Sequence, residues 1–271
     1  MLVKPLAAFG GVCAALCGAA MAQSGAQSGA DPVLAGPEGA GPEAGRPVVV
    51  EMFLSQACNQ SPPAAEMLQS IAERPDVVAL TWHVDYWDLI PAPGVGPWKD
   101  PFARPDFGAR QMAYNQRIRG RAVKMTPQTV IDGVLSVAGS QRDAIDKRIK
   151  EAQFLDEMAR PTPPTLRVRR TGGNLFRTQI DNVGAPYDAV MVSFQRTSET
   201  RVRGGDNAGM TFREANVVRA VSPIASAQSG GGDFTFAAPE DGLDCAVLVQ
   251  ERGNGRVVAA RYCSDQDDAG K

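Results

Sequence analysis

The sequence has little histidine and no excess of charge of either sign. Its 271 residues contain one histidine, and 28 Lys and Arg stand against 30 Asp and Glu, which gives a formal net charge of -2. No five like charges follow one another. A nucleic-acid-binding protein needs a basic stripe that neutralises phosphates, so the composition argues against that class. One histidine among scattered carboxylates also lacks the ligand spacing of a metal site, and we expect no metal or other cofactor.

Long apolar runs are absent too. No segment reaches the roughly 18 apolar residues that a membrane-spanning helix needs. The N-terminus instead has Lys4, a short apolar stretch over 6–20 and the small-x-small site Ala20–Ala22. This pattern predicts a cleaved export signal over residues 1–22 and a periplasmic or secreted protein with no membrane contact after cleavage. A retained N-terminal anchor is the alternative, because signal and anchor segments overlap in length.

Cysteine is scarce as well, with five residues in the chain, two of them inside the predicted signal. Cys58, Cys245 and Cys263 would remain, a number that suggests one disulfide and one free thiol in an oxidising compartment. The turn Gly253–Gly255 predicts a hairpin whose register puts residue 245 opposite residue 263. That arrangement suits the Cα separation of about 5.5 Å that a disulfide needs. A structural bridge is the first interpretation, and a resolving role toward Cys58 is the alternative.

Composition divides the chain into a leader, two folded segments and a linker. Residues 23–46 are mainly Gly, Ala, Ser, Gln and Pro, which predicts a flexible leader. Residues 47–159 show the pattern strand, helix, strand, helix, two strands and a helix. This order predicts an α/β thioredoxin-like domain, with a mixed sheet flanked by helices and its first two strands parallel. A stiff Pro-rich linker follows over 160–164. Short alternating segments over 165–265 predict a smaller, mainly-β, sandwich-like domain, and residues 266–271 form a tail.

The free thiol is expected at Cys58, in the turn between the first predicted strand and its helix. Unpaired N–H groups and the positive end of the helix dipole stabilise a thiolate at such a position. Redox enzymes of the thioredoxin type place a second cysteine three residues on, where this chain has Ser61. The sequence therefore indicates an attacking thiol without its resolving partner, a Cys-x-x-Ser motif. The alternative is a buried or vestigial cysteine without redox chemistry.

Two further segments are expected near this cysteine. Pro127 precedes a predicted strand–turn–strand, a position that fits a cis peptide bond facing the thiol; a trans proline that opens an edge strand is the alternative. The second strand closes at His83, and Asp85 and Trp87 follow it. The carboxyl ends of parallel strands meet at one edge of a sheet. There, His83 could orient or protonate the sulfur and Asp85 could relay a proton. The alternatives are structural: His83 as a hydrogen-bonded wall residue and Trp87 as a loop anchor.

These motifs resemble the domain-of-unknown-function 1223 (DUF1223) family of exported thioredoxin-like bacterial proteins. The resemblance rests on residues 48–56, Cys58, 61–63, 83–88, 98–102, 126–128 and 131–133, with a weaker match at 205–209 and 216–218. It implies a thioredoxin-like fold and export, and it suggests redox chemistry without naming a substrate. The family usually has cysteine where Ser61 stands, so this chain departs at the most informative position.

The leading hypothesis is a thiol–disulfide active protein of the periplasm, in which Cys58 attacks a disulfide of a protein or small-molecule partner. Serine cannot resolve the resulting mixed disulfide, so isomerase-like or thiol-capture behaviour is favoured over net oxidation. The alternative is a catalytically degenerate binding module that keeps a peptide groove. A third hypothesis is a structural protein in which Cys58 is bonded to Cys245 or Cys263.

Overall fold

The computed structural model describes residues 46–159 and 162–264. The predicted signal, the leader up to residue 45 and the predicted tail lie outside the described residues. Within the described part, three helices and eleven strands follow one another. The helices are α1 (Ser61–Ala72), α2 (Pro105–Arg119) and α3 (Arg142–Ala159). The strands are β1 (Val48–Leu54), β2 (Val77–His83), β3 (Gln128–Ile131), β4 (Leu135–Ala138), β5 (Thr165–Thr171), β6 (Leu175–Val183), β7 (Tyr187–Arg201), β8 (Thr211–Ala227), β9 (Gly230–Ala237), β10 (Asp244–Glu251) and β11 (Val257–Tyr262).

An eight-stranded sheet forms the centre of the molecule, in the order β11-β10-β7-β8-β2-β1-β3-β4. Every residue of β1 and β2 is buried, as expected for continuously apolar, β-branched strands that are covered on both faces. The two strands pair in parallel, from Val48 opposite Val77 to Leu54 opposite His83. This register confirms the parallel pairing predicted for the first two strands, and it places their carboxyl ends at one edge of the sheet.

The predicted fold class, however, is wrong. The sequence indicated an α/β thioredoxin-like domain with its own helix-flanked sheet, followed by a separate mainly-β sandwich. The structure is mostly β and has one large mixed sheet. Strands β7, β8, β10 and β11 extend this sheet beyond β2, so β2 has a neighbour on each side. The apolar pattern of a strand shows that its faces are buried but not which strands pair with its edges, and the continuous sheet was missed for that reason.

The junction between β2 and β8 depends more on side chains than on a backbone ladder. The parallel register pairs one residue of each strand, Thr81 and Val217. Next to this pair, Asn216 Nδ2 donates to the carbonyl of Ala79 at 2.9 Å. The hydroxyl of Tyr262 accepts from the N–H of Ala79 at 2.8 Å. Polar side chains thus satisfy buried backbone groups of β2 that a longer ladder would have paired.

Helices cover both faces of the N-terminal half of the sheet. Apolar side chains of α1 and α3 pack with β1 on one face, and α2 packs on the other. The core on the α2 side is aromatic: Trp82 meets Phe107 edge to face, with ring centroids 5.0 Å apart, and Phe53 meets Tyr114 in the same way. Aromatic pairs of this kind add to the free energy of area burial. The two layers fix α1, and with it the turn that precedes this helix.

A second sheet, in the order β5-β6-β9, packs against the C-terminal part of the large one. The core between them includes a disulfide that joins Cys245 to Cys263, whose Cα atoms are 5.3 Å apart. This is the pairing that the hairpin register favoured. It leaves Cys58 as the free cysteine among the described residues.

Candidate functional site

Cys58 lies in a tight turn that connects β1 to α1. Its N–H donates to the carbonyl of Ser55 at 3.1 Å, and the N–H of Ser61 donates to the carbonyl of Cys58 at 3.0 Å. α1 then begins with two prolines in its first turn, where a missing N–H needs no partner. Ser61 is fully buried, and its Oγ accepts from the N–H of Ser55 at 3.3 Å. The residue at the position of a resolving cysteine therefore closes the turn.

The thiol of Cys58 faces the segment that opens β3. Its Sγ donates to the carbonyl of Thr126 at 3.7 Å, and the Thr126–Pro127 peptide bond is cis. Pro127 thus lies next to Cys58, and the peptide bond that precedes it is cis. The trans bond, which the sequence left open as an alternative, is not found. Cys58 is only 2% exposed, so its sulfur cannot meet a partner until a neighbouring segment moves.

His83, at the end of β2, lies between two carboxylates. Its Nδ1 is 2.7 Å from Asp100 Oδ2 and its Nε2 is 3.0 Å from Glu214 Oε1, and all three side chains are fully buried. Burial by itself lowers the pKa of His83, but the charges of Asp100 and Glu214 outweigh burial and raise this pKa to about 10. Burial raises the pKa of Asp100, whereas the charge of His83 lowers it below its usual value. His83 is therefore an imidazolium at neutral pH; its Nδ1 hydrogen-bonds with Asp100, and its Nε2 lies within ion-pair distance of Glu214 without a hydrogen bond of good geometry.

This ion cluster, His83 with Asp100 and Glu214, holds the turn that carries Cys58. The N–H of Gln56 donates to Asp100 Oδ2 at 2.9 Å, and Gln56 Nε2 donates to Glu214 Oε2 at 2.8 Å. Gln56 is fully buried and precedes Cys58 by two residues. The ion cluster thus acts on the cysteine through the backbone of the turn, and His83 is a positioning residue in this arrangement.

The tip of the β7–β8 hairpin, residues 202–210, lies against the same turn. Asn207 Nδ2 donates to the carbonyl of Gln56 at 2.9 Å and to the carbonyl of Cys58 at 2.8 Å. Both residues are buried, and the carbonyl of Cys58 accepts from Asn207 in addition to the N–H of Ser61. The hairpin tip therefore holds the turn through its backbone carbonyls, in addition to the ion cluster.

Close contact between the hairpin tip and the turn requires a glycine. Gly205 has φ +66°, and a Cβ at this position would lie 2.9 Å from Ala57 Cβ. Its N–H donates to the carbonyl of Gly96 at 2.9 Å. Glycine adopts the left-handed conformation without a steric penalty and leaves room for Ala57. Three segments are stacked in this way: the loop after β2, the hairpin tip and the Cys58 turn.

Tyr86 is the side chain of the loop after β2 that neighbours Cys58. Its hydroxyl donates to Gln111 Oε1 at 3.0 Å. Burial chiefly, with the nearby Cys58 in addition, raises the pKa of Tyr86 above its usual value. Of the two loop residues singled out from the sequence, Asp85 faces the backbone of α2, and Trp87 is partly buried against the aromatic core.

Sequence analysis missed most of the polar residues that build this site. Asp100 and Asn207 lie inside segments that carried the family resemblance, which was the available signal for them. Gln56 ends another of these segments, residues 48–56, whereas Glu214 lies outside them and has the local pattern of an ordinary strand residue. Buried polar residues of this kind are identified only when the chain segments that surround them are known.

In the part of the chain that the structure describes, no group of three His, Cys, Asp or Glu side chains is placed to hold a metal ion. The carboxylates of the ion cluster contact opposite nitrogens of the His83 ring, so they do not converge on one point. Among the same residues, no helix is both long enough and apolar enough to cross a membrane.

Comparison with known proteins adds a family and a fold. A family model described as a protein of unknown function, DUF1223, matches residues 49–250. The crystal structure of protein AGR_C_4864 from Agrobacterium tumefaciens is similar, with a TM-score of 0.65 and 24% sequence identity. The similarity covers 83% of this chain and 97% of that one. No protein with a curated description matches the sequence.

Replacing His83 by glutamine should lower the free energy of unfolding by roughly 3–5 kcal/mol, because two buried carboxylates lose their cation. The folded pKa of about 10 lies above the unfolded value of about 6.5. The contribution of His83 is therefore fully present below the unfolded pKa and is lost as the pH rises through the folded pKa. Urea unfolding of both proteins should be measured across this pH range. The free energy of unfolding of the wild type should fall at alkaline pH, and that of His83→Gln should not.

The control for this experiment is Arg196→Gln, which removes an exposed ion pair with Asp244. Its free energy of unfolding should change by less than about 1 kcal/mol, and its pH dependence should match the wild type. An alkaline stability loss of equal size in His83→Gln and the wild type would contradict the charge assigned to His83.

Replacing Gly205 by alanine should increase the rate at which iodoacetamide alkylates Cys58 in the folded protein. The new Cβ meets Ala57 and pushes the hairpin tip away from the turn. Gly209→Ala is a matched control, because Gly209 has φ +90° but no heavy atom within 4 Å of its added Cβ. Both variants carry backbone strain, and only the first should expose the thiol. Equal alkylation rates, followed by mass spectrometry, would show that this contact does not protect Cys58.

Proposed function

Because the chain belongs to the DUF1223 family, a family of unknown function, we propose a function from its own residues: an exported protein that exchanges thiols and disulfides through Cys58. The observation that carries the proposal is the position of the free thiol. Cys58 Sγ lies 3.7 Å from the carbonyl of Thr126, next to the cis bond to Pro127. The other two cysteines of the described residues are bonded to each other.

The proposed reaction is disulfide exchange. The Cys58 thiol loses its proton to solvent, and the thiolate attacks one sulfur of a disulfide in the partner. A new bond forms between Cys58 Sγ and that sulfur, while the old disulfide bond breaks and its second sulfur leaves as a thiolate. One disulfide is consumed and one is formed, so the step needs no external oxidant or reductant.

Release of the partner requires a second thiol from outside the Cys58 turn. Ser61 occupies the position from which a resolving cysteine would attack, and its hydroxyl is engaged with the N–H of Ser55. A thiol of the partner, or a small thiol in solution, attacks the mixed disulfide and regenerates Cys58. This requirement favours reshuffling of partner disulfides over net oxidation.

Export is supported by two independent features. The N-terminal pattern of Lys4, an apolar stretch and Ala20–Ala22 is typical of a cleaved signal. The disulfide between Cys245 and Cys263 is of a kind that persists in oxidising compartments and is rare where thiols are kept reduced. The proposed place of the reaction is the periplasm or the cell exterior.

Burial of the thiol favours a second candidate function. Cys58 is 2% exposed, and its turn is held by the ion cluster and by Asn207. A protein that binds a partner without exchanging disulfides can keep such a turn rigid. In this candidate, Cys58 fills space and pairs with the carbonyl of Thr126, and partner binding does not depend on its sulfur.

The two candidates differ in what Cys58→Ser changes. If exchange is the function, the reduced wild-type protein reactivates scrambled ribonuclease A and Cys58→Ser does not. The same wild-type protein should acquire one glutathionyl group from glutathione disulfide, on Cys58, more slowly when folded than in urea because of burial. Equal reactivation by wild type and Cys58→Ser, or modification only after unfolding, would reject exchange and favour the binding candidate. Intact-mass spectrometry and ribonuclease activity are the two measurements.

Supplying the missing resolving thiol should convert exchange into net reduction. Ser61→Cys should reduce insulin disulfides faster than the wild type, because the second thiol attacks the mixed disulfide from within the chain. The variant also loses the Oγ that accepts from Ser55, so its stability should fall by about 1 kcal/mol. Ser70→Cys is the control, since Ser70 is on the same helix but exposed. No gain over Ser70→Cys would count against an attacking role for Cys58.

A further inference from the structure

The outer face of the small sheet carries a cluster of arginines far from the chemistry proposed for Cys58. Strands β5, β6 and β9 bury every second side chain against the large sheet, and the alternate side chains point outward. A groove of about 370 Å³ lies on this outer side. Arg167, Arg169 and Arg177 line it from outward-facing positions, Arg170 reaches it from the inward-facing position opposite Phe176, and Asp233 adds one carboxylate. The groove therefore carries an excess of positive charge.

The strand register places two of these charges directly opposite each other. Arg169 of β5 pairs with Arg177 of β6 in the antiparallel ladder. Like charges at directly opposed positions destabilise a sheet, because the side chains start about 5 Å apart. The net charge of -2 shows that the chain has no general excess of basic residues. A basic composition therefore does not explain the two opposed arginines. The opposed pair is therefore a local concentration of positive charge.

Carboxylates of the protein neutralise only part of this charge. Arg177 Nε donates to Asp233 Oδ1 at 3.2 Å, and Arg167 Nη1 lies 3.5 Å from Asp181 Oδ2. Arg169, which lies between them, has no carboxylate partner among the described residues. All four ion-pairing side chains are substantially exposed, so the pairs are weak and an incoming anion can rearrange them.

We propose that this groove binds a phosphate dianion, either free or as the headgroup of a lipid. A guanidinium donates two parallel N–H bonds to a phosphate, which is a strong and directional contact. A dianion between Arg169 and Arg177 meets one positive charge on each side, whereas a single carboxylate leaves one of the two unbalanced. The side chain of Gln179 also lines the groove and supplies a neutral hydrogen-bond donor.

The test uses inorganic phosphate and the purified protein in isothermal titration calorimetry, with chloride keeping the ionic strength constant. Arg169→Gln should weaken phosphate binding about tenfold, since one charged bidentate donor is lost. Arg213→Gln is the matched control, because Arg213 is an equally exposed arginine that pairs with Glu199 in the β7–β8 hairpin. The control should bind phosphate as the wild type does.

Thermal unfolding gives a second readout that a purely structural arginine would not produce. Without phosphate, Arg169→Gln should melt at a higher temperature than the wild type, because the repulsion from Arg177 is removed. Added phosphate should raise the melting temperature of the wild type and of Arg213→Gln by more than that of Arg169→Gln. A lower melting temperature of Arg169→Gln in phosphate-free buffer would contradict the proposed repulsion and overturn the site.

Vesicles distinguish the two sources of phosphate. Co-sedimentation with phosphatidylcholine vesicles that contain phosphatidic acid, lost without phosphatidic acid and lost in Arg169→Gln, assigns the site to a lipid headgroup. Calorimetric binding of inorganic phosphate without vesicle binding assigns it to the free anion. Binding of neither probe, or equal binding by Arg169→Gln and the wild type, overturns the proposal.

Discussion

A fully buried imidazolium, that of His83, is held between the carboxylates of Asp100 and Glu214, and both the sheet and the Cys58 turn depend on it. A buried charge without its counterion costs several kcal/mol, so the three residues are stable only as a unit. They come from the end of β2, the loop before α2, and β8. Because β8 meets β2 through a single residue pair, the contact of His83 with Glu214 supplies attraction that a backbone ladder does not.

The same ion cluster connects the fold to the candidate site. Gln56 donates one hydrogen bond to Asp100 from its backbone N–H and another to Glu214 from its side chain, and the cysteine follows two residues later. From the tip of the β7–β8 hairpin, Asn207 donates to the backbone carbonyls of Gln56 and Cys58. The conformation of the turn is therefore imposed by two distant segments of the chain. Burial of the thiol is a property of the tertiary structure and not of the local sequence.

This dependence on distant segments explains how much could be predicted. The apolar run of β1, the parallel pairing of β1 with β2, and the opposition of residues 245 and 263 are local or near-local patterns, and the structure has all of them. The thioredoxin-like fold class failed because sequence periodicity does not identify the partner of a strand edge. Asn216 and Tyr262, which complete the edge of β2, look like ordinary polar and aromatic residues in the sequence. Asp100 and Glu214 likewise resemble solvent-facing carboxylates until their shared cation is located.

The proposed exchange at a buried thiol requires an opening, and the relative strength of the contacts around the Cys58 turn decides which segment moves. Separating the ion cluster would leave uncompensated charges in the interior, at a cost of about 3–5 kcal/mol for each pair broken. The hairpin tip is held to the turn by neutral hydrogen bonds, each worth about 0.5–1.5 kcal/mol, and by the contact of Gly205 with Ala57. Local opening follows the least stable contacts. The hairpin tip should therefore move first, while the ion cluster keeps Gln56 in place.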